Sequence, residues 1–194
     1  LTDEAAIRAV NANKVDFAGF VYFERSPRHV PLLKAAALKS ILDKTIRSVS
    51  VLVNPDDALL DEVAATLSPD YLQLHGHETP ERIATIKNRF ADTKIIMSIA
   101  IRNADDVVRA MHYSAVADML LFDAKPPELP GMLPGGNGLS FDWALLKGRE
   151  FPLPWMLAGG LNEINVGDAI RQSGARAVDV SSGVERAPGV KDPA

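Results

Sequence analysis

W-M-L-A-G-G-L-N at Trp155–Asn162 and A-V-D-V-S-S-G-V-E at Ala177–Glu185 decide how this chain is read. Two short apolar runs, Trp155–Ala158 and Ala177–Val180, each stop in a polar turn that carries glycine. Between them Glu163–Gln172 reads as a helix, with Asn162 as its N-cap and Gly174 just past its end. Strand, helix and strand at this spacing predict a βαβ unit: two parallel strands whose C-terminal ends lie side by side. Gly159, Gly160, Ser181, Ser182 and Gly183 then gather on one rim of the sheet. Small residues there let backbone N–H groups approach an anion closely. In closed (β/α)8 barrels the phosphate site commonly follows strands 7 and 8. The stretch predicts a phosphate cup.

Working outward, helix and strand patterns alternate along the whole chain. Helices are expected at Thr2–Asn13 (capped by Thr2), Pro31–Asp43, Asp56–Leu67, Pro80–Phe90 and Ala104–His112, the last capped by Asn103. Strands are expected at Phe17–Phe23, Val49–Val53, Tyr71–Leu74, Lys94–Ala100 and Asp118–Phe122. The first of these, F-A-G-F-V-Y-F, is apolar enough for a parallel strand buried on both faces. Ala124–Leu139 carries four prolines and four glycines and reads as a lid or binding loop. Ser140 can cap a short helix through Lys147. Seven strands, each preceded by a helix, specify a parallel α/β sheet, either open and doubly wound or closed as a barrel. A closed barrel of this type has eight strands, and seven would leave two apolar edges unpaired. The expectation is one (β/α)8 barrel domain over residues 1–194, with a first strand before Leu1 and a last helix after Ala194 missing.

Composition narrows the function. The 194 residues are 47% hydrophobic and 24% charged, with a net charge of −4, which argues against a general nucleic-acid binder. No apolar run approaches the ~20 residues of a membrane span, and no signal peptide is visible, so a cytoplasmic protein is the default. With no cysteine there is no disulfide framework and no thiolate zinc site. His75-Gly76-His77-Glu78 invites a metal reading, because alternate residues of a strand share a face. It offers no clear outer-shell partner, and the reading without metal is preferred.

Five segments in order carry a resemblance. They are F-A-G-F-V-Y-F-E-R-S-P-R-H-V from Phe17, V-L-V-N-P from Val51, L-Q-L-H-G-H-E from Leu72, L-A-G-G-L-N from Leu157, and V-D-V-S-S-G-V-E-R-A-P-G-V-K-D from Val178. Together they resemble the phosphoribosylanthranilate isomerases of tryptophan biosynthesis. The resemblance implies a (β/α)8 barrel that performs an Amadori rearrangement by general acid/base catalysis, with no cofactor and no metal. The expected partner is a phosphorylated small-molecule substrate, and the expected barrel is a monomer or homodimer.

Residue by residue, the resemblance makes Asp123 the general acid and Arg28 the holder of the anthranilate carboxylate. A guanidinium binds carboxylate in bidentate fashion, which lysine cannot reproduce. An acid working at neutral pH must keep its proton, by burial or by nearby negative charge. Without the resemblance, two readings stand for Asp123, an acid or a loop cap, and Arg28 reads as a solvated arginine. Gln73 and His75 are implied to shape the pocket, and His29 to pack locally. Two readings stand for Asp179: contact with the ribose hydroxyls, or a structural aspartate bonded to loop amides. Glu185 and Arg186 read as surface groups beyond the cup. The family's base is a cysteine in K-I-C-G at the end of the first strand, which is expected to lie before Leu1. G-G-N-G-L-S before Phe141 also departs from the family's usual turn. The competing readings are a related phosphate-binding barrel such as indole-glycerol-phosphate synthase, and a non-catalytic phosphate-binding barrel.

Overall fold

A computed structural model describes residues 1–126 and 135–193. Six parallel strands form one sheet: β1 (Phe17–Tyr22), β2 (Arg47–Leu52), β3 (Tyr71–Leu74), β4 (Lys94–Ile101), β5 (Met119–Ala124) and β6 (Trp155–Leu157). Their spatial order is their sequence order. A doubly wound sheet reverses strand order at a switch point, which this sheet does not do. One-way sequential order is how a (β/α)8 barrel curls, and the fold is of that class.

The helices between strands begin where local chemistry starts them. In α1 (Glu4–Ala12) the cap is Asp3, whose carboxylate accepts from the Ala6 amide at 2.9 Å. Thr2, the expected cap, instead donates to the Gly189 carbonyl. Pro31 precedes α2 (Leu32–Ser40) as an uncapped N-cap, and Asp56 caps α3 (Asp57–Leu67). Thr79 caps α4 (Pro80–Arg89), with Pro80 in the first turn. Asn103 and Asp106 close a capping box on α5 (Ala104–Arg109), which runs on into a 3-10 turn at Ala110–Tyr113.

Three expected elements change near the C-terminal half, and one is added. The segment after the long loop is only a 3-10 turn, Trp143–Leu146, capped by Asp142 and not Ser140. α6 is shorter than expected, Val166–Ser173, because Asn162 accepts from the Ile164 and Asn165 amides and holds a turn there first. Ala177–Val180 makes a single parallel bridge to β6, with Leu157 N–H on the Ala177 carbonyl at 3.0 Å and Asp179 N–H on Leu157 at 2.8 Å. After it comes an unanticipated antiparallel hairpin, β7 (Glu185–Ala187) and β8 (Val190–Lys191).

Two cores result. The larger, including Phe20, Leu52, Leu72, Ile95, Phe122 and Leu157, lies between the sheet and its helices. A smaller one, Val49, Ile96, Leu121, Met156 and Ala158, fills the inner face. β1 departs from the expectation of burial on both faces: Ala18, Phe20 and Tyr22 are buried, while Phe17, Gly19 and Val21 are only partly covered. Among the described residues no strand lies between β1 and the Ala177–Asp179 bridge, so this inner face opens on a cavity of about 740 Å³. No helix among the described residues is long and apolar enough to cross a membrane.

Candidate active site

The cavity reaches the C-terminal rim, where Arg28, Gln73, His75, Asp123, Gly160 and Asp179 all line it. Asp123 sits on β5, which carries its carboxyl inward to 7% exposure. Its Oδ1 accepts the Ala124 amide at 2.8 Å, and its Oδ2 lies 3.2 Å from His75 Nε2. Behind the imidazole, Gln73 Nε2 stands 3.4 Å from His75 Nδ1. Gln73, His75 and Asp123 thus form one polar line from β3 to β5. His77 is exposed and Glu78 faces away, its carboxylate accepting the Asn54 and Gly76 amides at 2.8 and 2.9 Å. The histidine–glutamate run therefore does not converge on a single point.

Asp179 faces the same cavity from the bridge beside β6. Burial pushes its carboxyl above the ordinary carboxylate range, and the charge of Asp123 adds to the push, against His75 and Lys191. The upward push on Asp179 is a consequence of two carboxyls sharing one low-dielectric pocket.

Arg28 stands in a different environment. The turn Ser26–Arg28 buries it beneath the rim, where Nε and Nη2 donate to Glu185 at 2.7 and 2.8 Å. Glu185 is not the surface group its sequence suggested, since its side chain is 4% exposed. The β7–β8 hairpin folds it inward against Arg28, Lys191 Nζ at 3.0 Å and the Gly189 amide at 3.2 Å. Burial pushes the Glu185 carboxyl up, but the bonds from Arg28 and Lys191 outweigh that and hold it below the usual range. Burial also lowers Lys191, against the pull of Glu185. Lys191 is anchored further by donation to the Ser181 carbonyl at 2.6 Å. Arg186, by contrast, is exposed as expected.

The turn after β6 and the Ser181–Gly183 turn lie side by side, joined by a bridge between Asn162 and Gly183. Over them passes the described end of the long loop. Gly135 packs on His75 and Asp123, Gly136 on the Arg28 guanidinium, and the Gly138 and Leu139 carbonyls on Gly160. A Cβ on Gly160 would stand 2.9 Å from those carbonyls, so only glycine admits the crossing. The lid expectation for the rest of the loop, residues 127–134, falls outside the described residues.

The structure therefore gathers Arg28, Gln73, His75, Asp123, Gly159, Gly160, Asp179, Ser181 and Ser182 around one cavity, with Gly183 at the bridge beside it. Sequence reasoning missed Glu185 and Lys191. The Pro188-Gly189 dipeptide between them is the signal that could have found them, since it turns the chain and pairs Glu185 with Lys191.

A sequentially ordered parallel sheet with its polar groups on the C-terminal rim defines the class: a (β/α)-barrel protein that carries its chemistry on that rim. Comparison with known proteins gives the particular family. The chain matches the family described as N-(5'phosphoribosyl)anthranilate (PRA) isomerase over residues 1–194. N-(5'-phosphoribosyl)anthranilate isomerase of Paramagnetospirillum magneticum is 50% identical over 192 residues, covering 99% of this chain and 88% of that protein. The namesake from Parvibaculum lavamentivorans is 49% identical over 193 residues, covering 99% and 89%. Among solved structures, phosphoribosyl anthranilate isomerase from Thermotoga maritima superposes with a TM-score of 0.85 at 31% identity, covering 100% of this chain and 90% of that one. A phosphoribosyl anthranilate isomerase in complex with reduced 1-(o-carboxyphenylamino)-1-deoxyribulose 5-phosphate gives 0.83 at 29%, covering 100% and 89%. This chain belongs to the N-(5'-phosphoribosyl)anthranilate isomerase family.

Proposed function

We propose that this chain converts N-(5-phosphoribosyl)anthranilate to 1-(2-carboxyphenylamino)-1-deoxyribulose 5-phosphate, an aldose-to-ketose isomerisation in tryptophan biosynthesis carried out in the cytoplasm. The observation that carries the reading is the juxtaposition, on one rim, of a buried acid–imidazole pair, the Arg28 guanidinium and the paired small-residue turns. The rearrangement reduces C1 and oxidises C2 within one molecule, so proton transfers suffice and no external oxidant or cofactor is required.

Asp123 is the proposed general acid. Its Oδ2 delivers a proton to the furanose ring oxygen, opening the ring to an imine, and a base then removes the C2′ proton. His75 suits both states of this carboxyl: its Nε2 accepts from protonated Asp123 and donates to ionised Asp123. The Gln73 carboxamide offers either a donor or an acceptor to Nδ1 as the tautomer changes. Backbone N–H groups of Gly160 and the Ser182–Gly183 turn are proposed to hold the phosphate, Gly159 and Ser181 to shape that cup, Arg28 the anthranilate carboxylate and Asp179 a ribose hydroxyl. The related structure with the reduced product supports this reading, because that ligand carries both a phosphate and a carboxylate.

The test pairs turnover with binding. Purified protein should consume phosphoribosylanthranilate, and Asp123→Asn should stop turnover while still binding the reduced product. Loss of binding together with turnover would remove Asp123 from the acid step.

A further inference from the structure

A guanidinium has two edges that match a carboxylate: the side formed by Nε and Nη2, and the end formed by Nη1 and the outer hydrogen of Nη2. In Arg28 the side edge is taken. Glu185 accepts from Nε at 2.7 Å and from Nη2 at 2.8 Å, and it is fixed there by the Lys191 ammonium and the Gly189 amide. The end edge remains. Nη1 lies against the Gly136 backbone, where at φ +72° a Cβ would collide with it, and Arg28 lines the cavity. Charges in the cluster sum to one positive unit, from Arg28 and Lys191 against Glu185.

We infer that Glu185 is a positioning residue for carboxylate recognition: it occupies the side edge of Arg28 and so presents the end edge to the substrate. The inference rests on the proposal that Arg28 binds the anthranilate carboxylate. Lys191 has the complementary part. Arg28 and Glu185 alone would be neutral, and Lys191 restores the net positive charge that draws in an anion. It does so from the far side of Glu185, anchored on the Ser181 carbonyl beside the small-residue turn. The two anion sites are thereby joined mechanically through one buried lysine.

Positioning and simple charge predict opposite results. If Glu185 were only a nearby negative charge, its removal would strengthen anion binding. If it positions Arg28, its removal weakens binding, and only for ligands that carry the carboxylate. The experiment measures Kd by calorimetry for the reduced product and for its phenylamino counterpart lacking the carboxylate. Parent, Arg28→Ala, Glu185→Gln, Glu185→Asp and the double variant Arg28→Ala/Glu185→Gln are compared.

Glu185→Gln should weaken the carboxylate ligand roughly tenfold, about one decade of affinity, and leave the counterpart unchanged. Glu185→Asp, which keeps the charge but is too short for the same grip, should behave alike. The double variant should be no worse than Arg28→Ala. If Arg28→Ala is selective for the carboxylate ligand but Glu185→Gln binds it as well as or better than the parent, the inference fails and the reading of Arg28 survives. If Glu185→Gln and Glu185→Asp weaken both ligands equally, their role is structural and the inference fails. If Arg28→Ala itself weakens both equally, the carboxylate reading falls and takes this inference with it.

Discussion

Two clusters of ionisable groups share one rim, and their partners make them opposites. Around Arg28, Glu185 and Lys191, every charge has an opposite neighbour within 3.0 Å, and the carboxyl is held below its usual range. Around Asp123, His75 and Asp179, two carboxyls face one imidazole, and Asp179 is pushed above its usual range by burial and by Asp123. Fully paired charges resist change of protonation, because losing a proton or gaining one breaks several bonds together. Carboxyls forced to share a pocket are poised to move a proton. In the proposed reading the first cluster holds an anion and the second does chemistry on it. Substitutions should therefore separate binding from turnover.

The largest effect belongs to Asp123. Asp123→Asn keeps shape and the Ala124 contact yet has no proton to give, so kcat should fall by ~10²–10⁴. Binding of the reduced product, measured by calorimetry, should stay within a few-fold of the parent. A comparable loss in binding would erase the distinction between the clusters.

Arg28→Ala should give the reverse pattern. It loses a charge-assisted contact worth about 1.5–3 kcal/mol, seen as a raised KM with kcat largely kept. It also takes two hydrogen bonds from the mostly buried Glu185 side chain, leaving it Lys191 and the Gly189 amide, so thermal denaturation should show a lower Tm. A kcat loss as large as that of Asp123→Asn would place Arg28 in the chemistry.

A pair of glycines sharpens the contrast at a smaller scale. Gly159, at φ +91°, would place a Cβ 3.0 Å from Asp123 Oδ1, while Gly189, at φ +81°, would drive one into the Pro27 carbonyl beside Arg28. Each alanine substitution stores strain of about 1–3 kcal/mol. Gly159→Ala should appear mainly in kcat and Gly189→Ala mainly in KM. Kinetics showing the same parameter moved by both would blur the two clusters into one.

The smallest effect is in stability. Asp179 holds its proton more tightly folded than unfolded, so its contribution is present below the unfolded value of about pH 3.9 and lost as pH rises through the folded-state value. Asparagine is neutral throughout and suffers no such loss. The Tm of Asp179→Asn relative to the parent should therefore rise from acid to neutral pH. A difference that stays flat across that range would mean Asp179 ionises without strain.

Much of this architecture is legible in the residue order. β3 runs over the expected Tyr71–Leu74, and β1, β4, β5 and β6 fall within two residues of expectation, because apolar runs stopped by Asn-Pro, His-Gly or Gly-Gly are local signals. The residue pattern supplied the glycine turns and the resemblance Asp123 and Arg28 as candidates, and the structure brings them to one cavity. Ala177–Val180 misled, since its apolar alternation fits a strand but only two hydrogen bonds to Leu157 form. Glu185 misled more seriously. Beside Arg186 and before a Pro-Gly turn it has every local mark of a solvated residue, and its partner lies 157 positions away.

By itself the sequence determined the alternation of strand and helix, the parallel pairing that follows from it, and the side on which polar groups accumulate. These depend on periodicity and on turn chemistry, which act between residues a few positions apart. Only the tertiary structure decided which charges are buried, which are paired, and which carboxyl is pushed up. Electrostatic energies act through space and depend on local dielectric. They exist only once Arg28 meets Glu185 and Asp179 meets Asp123.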